Sequence, residues 1–347
     1  MTDLEFVSRV RLSGPGVSSS PPRLAGWRVT DLTAAFGAVV WSALSIATTF
    51  GLVPIPLSPV ELYVALATFV LVPLGTGLVP LEHRGSAGTT AGTPSRLYAV
   101  AVYGQFPAAA AAVVALGLPR ESLAAVALVL PWLGVTAVLA ALAFQNIRSR
   151  GIGPLPALAV DAALLYVPVA SIALLFSVAG IDLGFAPIIV LLTAVHFHYA
   201  GFVLPLVVGL AGRVIADGGA FDSTLTGHIA AASTVAVVVG ILAVAVGITV
   251  SPILEFVAVV PFVAGVAGFA FVVTGGVVPV APRLPGALLV AASLSVCVGM
   301  AFALAFAYSS LPGTTVLVTI PEMVRWHGAV NAFGFALPAL VAFRALE

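Results

Sequence analysis

The chain has 347 residues, of which 61% are hydrophobic and 7% charged, with a mean hydropathy of +1.21; soluble domains carry about a quarter charged residues, so this is the composition of a polytopic membrane protein. Lys+Arg and Asp+Glu both number 13, which leaves no net charge to hold nucleic acid or to steer a substrate of one sign. The single cysteine, Cys297, excludes an internal disulfide and any CxxC motif; set among Ala, Ser and Val, it reads as a small core residue.

Residues 1–30 have no apolar core segment and no small-residue cleavage site, so they are not a signal peptide. They read as a flexible cytoplasmic tail in which Leu4–Val10 forms at most a short interfacial helix. From residue 31 to 347 the chain reads as a single transmembrane helical domain. About 20 apolar residues cross a bilayer as a helix, and cutting the apolar runs at charge clusters and Pro/Gly turns gives ten spans. They are Asp31–Val53, Pro59–Val79, Leu97–Leu118, Leu123–Phe144, Leu155–Ala179, Phe185–Leu210, Gly227–Val250, Ile253–Val277, Gly286–Tyr308 and Pro321–Phe343. Asp31 is the expected N-cap of the first. The Ala- and Gly-rich stretches Pro107–Ala115 and Ala264–Gly268 suit close helix packing.

Arginines fix the expected orientation, because cytoplasmic segments retain positive charge. With both termini inside, Arg9, Arg11, Arg23, Arg28, Arg84, Arg96, Arg148, Arg150, Arg213, Arg283 and Arg344 fall on the inner side, and only Arg120 and Arg325 on the outer. The expected class is therefore an all-α bundle of about ten spans in the plasma membrane, N-terminus and C-terminus cytoplasmic. Ten spans paired five with five would give inverted halves, as in many secondary transporters, although the halves share no visible sequence match.

Chemistry concentrates in the sixth span, at Thr193-Ala194-Val195-His196-Phe197-His198-Tyr199-Ala200-Gly201-Phe202. An ionisable group at bilayer depth is costly, so it marks a candidate functional site. His196 lies about 14 Å into its span, and His198 is turned roughly 200° from it, so the pair serves different neighbours unless a π-bulge, Gly201 or Pro205 deforms the helix. In the tenth span His327 and Asn331 share a face at i and i+4, roughly 9 Å in from the outer end. Side-by-side packing of these spans would bring the imidazoles together. Glu61 and Glu255 fall at the outer ends of their spans, and Asp161 enters from the inner side.

Each residue also has a plainer reading. His196 and His198 can serve as interhelical hydrogen-bonding groups. Glu61, Glu255, Glu322 and Arg325 can be interfacial side chains reaching water. Trp41, Trp132 and Trp326 can be belt or packing aromatics, and His83 and His228 fall at solvated span ends.

The blocks His196-Phe197-His198-Tyr199-Ala200-Gly201-Phe202 and His327-Gly328-Ala329-Val330-Asn331-Ala332-Phe333-Gly334-Phe335 resemble the YndJ-like family of integral membrane proteins. The resemblance is specific in these blocks and looser over the span-rich remainder. It implies a multi-span protein grouped with transporters, with the two histidine blocks forming one site; it implies no particular reaction or substrate.

Three functional readings stand. In the first, a transporter or permease binds a small solute or ion, or relays protons, through His196, His198, Tyr199, His327, Asn331, Glu61, Glu255 and Asp161; histidine suits this because its charge switches near neutral pH. In the second, His196 or His198 with His327 ligates haem or a transition metal. In the third, the protein is a non-catalytic structural or sensory subunit. HExxH, CxxCH, Walker A and GxSxG are all missing from the sequence, so no named enzyme class is selected, although an acid or base enzyme acting on lipid with His327 as base remains open. The lipid bilayer is the expected partner.

Overall fold

The computed structural model describes residues 21–79, 95–219, 221 and 223–347. Leu4–Val10, the loop carrying His83 and Arg84, and Asp222 lie outside them. Among the described residues, ten helices are long and apolar enough to cross a membrane: α1 Val29–Thr49, α2 Pro59–Leu78, α3 Arg96–Leu116, α4 Leu123–Arg150, α5 Leu155–Ala179, α6 Pro187–Asp217, α7 Leu225–Val250, α8 Pro252–Val280, α9 Arg283–Ser309 and α10 Ile320–Leu346. The protein is thus an all-α polytopic membrane protein, with each predicted span matched by one helix.

Boundaries shift where polar residues still favour a helix. α1 begins at Val29, so Asp31 stands in its first turn and not at the N-cap, where its charge meets the positive end of the helix dipole. α4 runs on through Gln145–Arg150, its last turn carrying Arg148 and Arg150 against the negative end. α6 continues to Asp217, and the turn at Gly218-Gly219 follows it. Ahead of α1, β1 (Arg23–Leu24) and β2 (Trp27–Arg28) form a small antiparallel ladder that the sequence reading placed inside the tail. Cys297 is exposed and does not contribute to the core.

Two compact units divide the chain. The N-terminal unit takes the described residues of Pro15–Gly151 and Asp161–Val203; the C-terminal unit takes Ile152–Val160 and Leu204–Glu347. Within the N-terminal unit α3 and α4 form a tight antiparallel pair, and α2 packs against α1 and against the first half of α6. A Cβ on Gly37 of α1 would stand 2.2 Å from the Phe69 carbonyl oxygen, so only glycine permits that approach. In the C-terminal unit α7 and α8 pair closely, with Gly265 set directly against Ala236. The small-residue stretch Ala264–Gly268 therefore packs as its composition suggests.

Several helices widen locally. π-helical turns occupy Ala67–Leu71 in α2, Phe197–Val203 in α6, Val273–Val277 in α8, and Met323–His327 and Val330–Ala336 in α10. Four of these end two residues before a proline: Pro73, Pro205, Pro279 and Pro338. Proline donates no N–H, and its ring clashes with the carbonyl four residues back. That carbonyl belongs in turn to Phe69, Gly201, Gly275 or Gly334, inside the π segment each time, where the wider turn relieves the clash. Pro107, Pro131, Pro168 and Pro261 are accommodated within α-helix.

Candidate functional site

The N-terminal unit holds most of the buried polar chemistry. Among the described residues α2 and α6 are the most buried spans. Their π segments, Ala67–Leu71 and Phe197–Val203, pack against each other. Thus two helices depart from α-geometry at the level where they meet.

His198 is fully buried in that region. Its Nδ1–H donates to the Ala194 carbonyl at 2.8 Å, and its Nε2 accepts from the Trp132 indole N–H at 3.1 Å. A carbonyl only accepts and an indole N–H only donates, so these partners fix the neutral Nδ1–H tautomer. Both ring nitrogens are engaged. A metal or a proton at Nε2 would first have to displace Trp132, which is itself fully buried and packs within α4 as a core aromatic, not a belt residue.

Tyr199 lies next along α6. Its hydroxyl donates to the Tyr63 carbonyl at 3.0 Å, and the two rings meet edge to face at 6.4 Å. His196 faces away from His198 and is exposed, with Nδ1–H on the Leu192 carbonyl at 2.9 Å. The π segment begins immediately after it and does not turn the two imidazoles onto one face.

At one end of the same unit a cleft of about 190 Å³ opens between the start of α2, the end of α3 with the α3–α4 turn, the end of α5 and the start of α6. Glu61, Arg120 and Ser177 supply its polar lining; Leu116, Ile188 and Leu191 are among its apolar walls. Glu61 is also the third residue of α2 in a capping box: its Oε2 accepts from the Ser58 N–H at 2.6 Å, and the Ser58 hydroxyl accepts from the Glu61 N–H. Arg120 donates through Nε to the Ser177 carbonyl at 2.9 Å and through Nη2 to Asp182 at 3.1 Å. The sequence reading counted Arg120 only as topology. Its signal was present, as one of two arginines on the predicted outer side.

Asp161 is buried and held by two groups of α4, the Asn146 amide at 3.0 Å and the Arg150 guanidinium. Its charge is compensated locally. Gln105 and Tyr98 form a further polar cluster about Thr76: the Gln105 amide donates to the Thr76 hydroxyl at 2.7 Å and the Tyr98 hydroxyl to its carbonyl at 3.1 Å. No motif announced it, because each residue alone resembles ordinary span composition.

His327 and Asn331 belong to the C-terminal unit. His327 Nδ1–H donates to the Gly299 carbonyl of α9 at 2.8 Å, and the Asn331 amide donates to the His327 carbonyl at 2.9 Å. A Cβ on Gly299 would lie 2.6 Å from the Asn331 amide. This is an interhelical clasp between α9 and α10. Glu255 stands in the first turn of α8, which Ser251 caps, and is largely buried. The proposed members of one histidine site thus fall into two units, His196 and His198 in one and His327 in the other, each with partners of its own. Among the described residues no three His, Cys, Asp or Glu side chains gather in a way that could hold a metal ion.

Comparison with known proteins adds the family. The model of the YndJ-like protein family matches residues 62–335. The uncharacterized membrane protein YndJ of Bacillus subtilis (strain 168) is 35% identical over 161 residues, covering 46% of this chain and 27% of that relative. The match therefore spans about a quarter of the relative's length. No solved structure matches.

Proposed function

Because the chain belongs to the YndJ-like family of membrane proteins, we propose that it is a transporter for a small solute whose path enters through the cleft of the N-terminal unit. The observation that carries the proposal is the contact between the π segments of α2 and α6, the two most buried spans. Interrupted helices lining a polar interior are how transporters expose backbone and side-chain groups to a solute within a membrane. Here Glu61 and Leu191, which line the cleft with Arg120 of the α3–α4 turn, lie on the same two helices as Tyr63, Tyr199 and His198.

In this reading Glu61 and Arg120 are entry groups, and Tyr199 and His198 hold the widened turn of α6 in place. Asp161, compensated by Arg150, closes the other end as a structural pair. His198 supports the solute reading over the haem or metal reading, since both of its nitrogens are committed to protein groups. The arginine distribution supports a plasma-membrane protein with both termini cytoplasmic, which puts the cleft on the outer side.

The test is transport by the purified full chain in liposomes loaded with an isotope-labelled, water-soluble cell extract, with efflux followed by mass spectrometry. At least one solute should leave faster than from protein-free liposomes, and Tyr199→Phe should slow it. Equal retention of every solute in both preparations would overturn the transporter reading.

A further inference from the structure

We infer that the cleft at the start of α2 and α6 binds a zwitterion with an apolar body: an ammonium group at Glu61, an anionic group at Arg120, and a hydrocarbon portion against Leu116, Ile188 and Leu191. The inference deepens the transporter reading by naming a ligand class, and the binding it predicts stands or falls separately from transport.

The polar lining carries opposite charges, Glu61 on α2 and Arg120 in the α3–α4 turn, within one cavity of about 190 Å³. Among the described residues neither charge is exhausted by its protein contacts. Glu61 uses Oε2 for the capping box, and Oε1 has no hydrogen-bond partner. Arg120 uses Nε and one Nη2 contact, leaving Nη1 free. These existing bonds hold both groups in place before a ligand arrives, which lowers the ordering cost of binding. With Nε on the Ser177 carbonyl and Nη2 on Asp182, the guanidinium is fixed so that Nη1 can donate to a ligand carboxylate or phosphate.

The remaining walls, Ala115, Leu116, Leu118, Val178, Pro187, Ile188 and Leu191, are apolar. A simple salt or a sugar would leave these walls unused. An anionic ligand would leave Glu61 without a counter-ion, and a cationic one would leave Arg120 with Asp182 alone. A free apolar α-amino acid and a zwitterionic phospholipid headgroup share the chemistry that satisfies both.

Binding is measured on the full-length protein in detergent by isothermal titration, with four probes: L-leucine, 4-methylpentanoate lacking the amine, isoamylamine lacking the carboxylate, and dihexanoylphosphatidylethanolamine. At least one of the two zwitterions should bind about tenfold or more tightly than either singly charged analogue, as expected if each ionic contact is worth one factor of ten. L-leucine alone would identify a free amino acid as the ligand, and the phospholipid alone a headgroup. Glu61→Gln should weaken zwitterion binding about tenfold while keeping the fold, because glutamine also completes a capping box. Arg120→Gln should do the same, whereas Asp182→Asn, a control in the α5–α6 turn that removes the protein partner of Arg120 and leaves both lining charges in place, should not weaken binding.

Equal affinity for the singly charged analogues, binding of neither zwitterion, or indifference to both charge substitutions would overturn the inference. Zwitterion binding without liposomal flux would uphold the site and reject transport. Flux of a solute that lacks one of the charges, unaffected by Glu61→Gln, would do the reverse.

Discussion

At the scale of single residues, a buried histidine can be a ligand or a strut, and its hydrogen bonds decide which. His198 gives its N–H to Ala194 and its lone pair to Trp132. Interhelical hydrogen bonds inside membranes contribute about 1 kcal/mol. Trp132→Phe and His198→Phe should each destabilise the protein by about that amount, and the double substitution by less than the sum, read as a coupling in thermal unfolding in detergent. Additive losses would show that the bond is not stabilising. Asp161 predicts a larger effect: Asp161→Ala leaves Arg150 without its buried carboxylate, and removing one member of a buried pair costs about 3 kcal/mol or more. Unfolding of Asp161→Ala, with partial recovery in Asp161→Ala/Arg150→Met, measures it. The sequence made these residues conspicuous by their cost at bilayer depth, yet it could not supply their partners. Trp132 lies 66 positions from His198, and nothing local to either residue pairs them.

At the scale of elements, ten helices were legible because length and hydropathy alone define a span, and their ends moved by a turn or two where polar residues prolong a helix, as at Gln145–Arg150. The contacts between helices were less legible, since they depend on which faces meet. The α9–α10 clasp is an example: His327 and Asn331 were expected on one face, and Gly299 supplies the approach they need. Gly299→Ala should press its methyl onto the Asn331 amide and destabilise the protein by about 1–3 kcal/mol. Adding Asn331→Ala should recover part of the loss, whereas no recovery in unfolding measurements would place the crowding elsewhere.

At the scale of the whole molecule, arginine placement predicts both termini inside. With Cys297→Ala as background, Ser310→Cys in the α9–α10 loop should react with a membrane-impermeant maleimide on intact cells, and Ser149→Cys near the end of α4 only after lysis. The opposite pattern would invert the topology. The π segments have a further consequence for length. A ring closed over five residues holds one residue more than the α-helix requires, so each proline-coupled turn is a reserve position in the chain. Single-residue deletions within Ala67–Leu71 or Phe197–Val203 therefore need not break their helices: they let the turn tighten to α-geometry and rotate one half of the span against the other by roughly 100°. Length variation among related chains should collect at such turns, changing which side chains face the interior while leaving the number of membrane crossings the same.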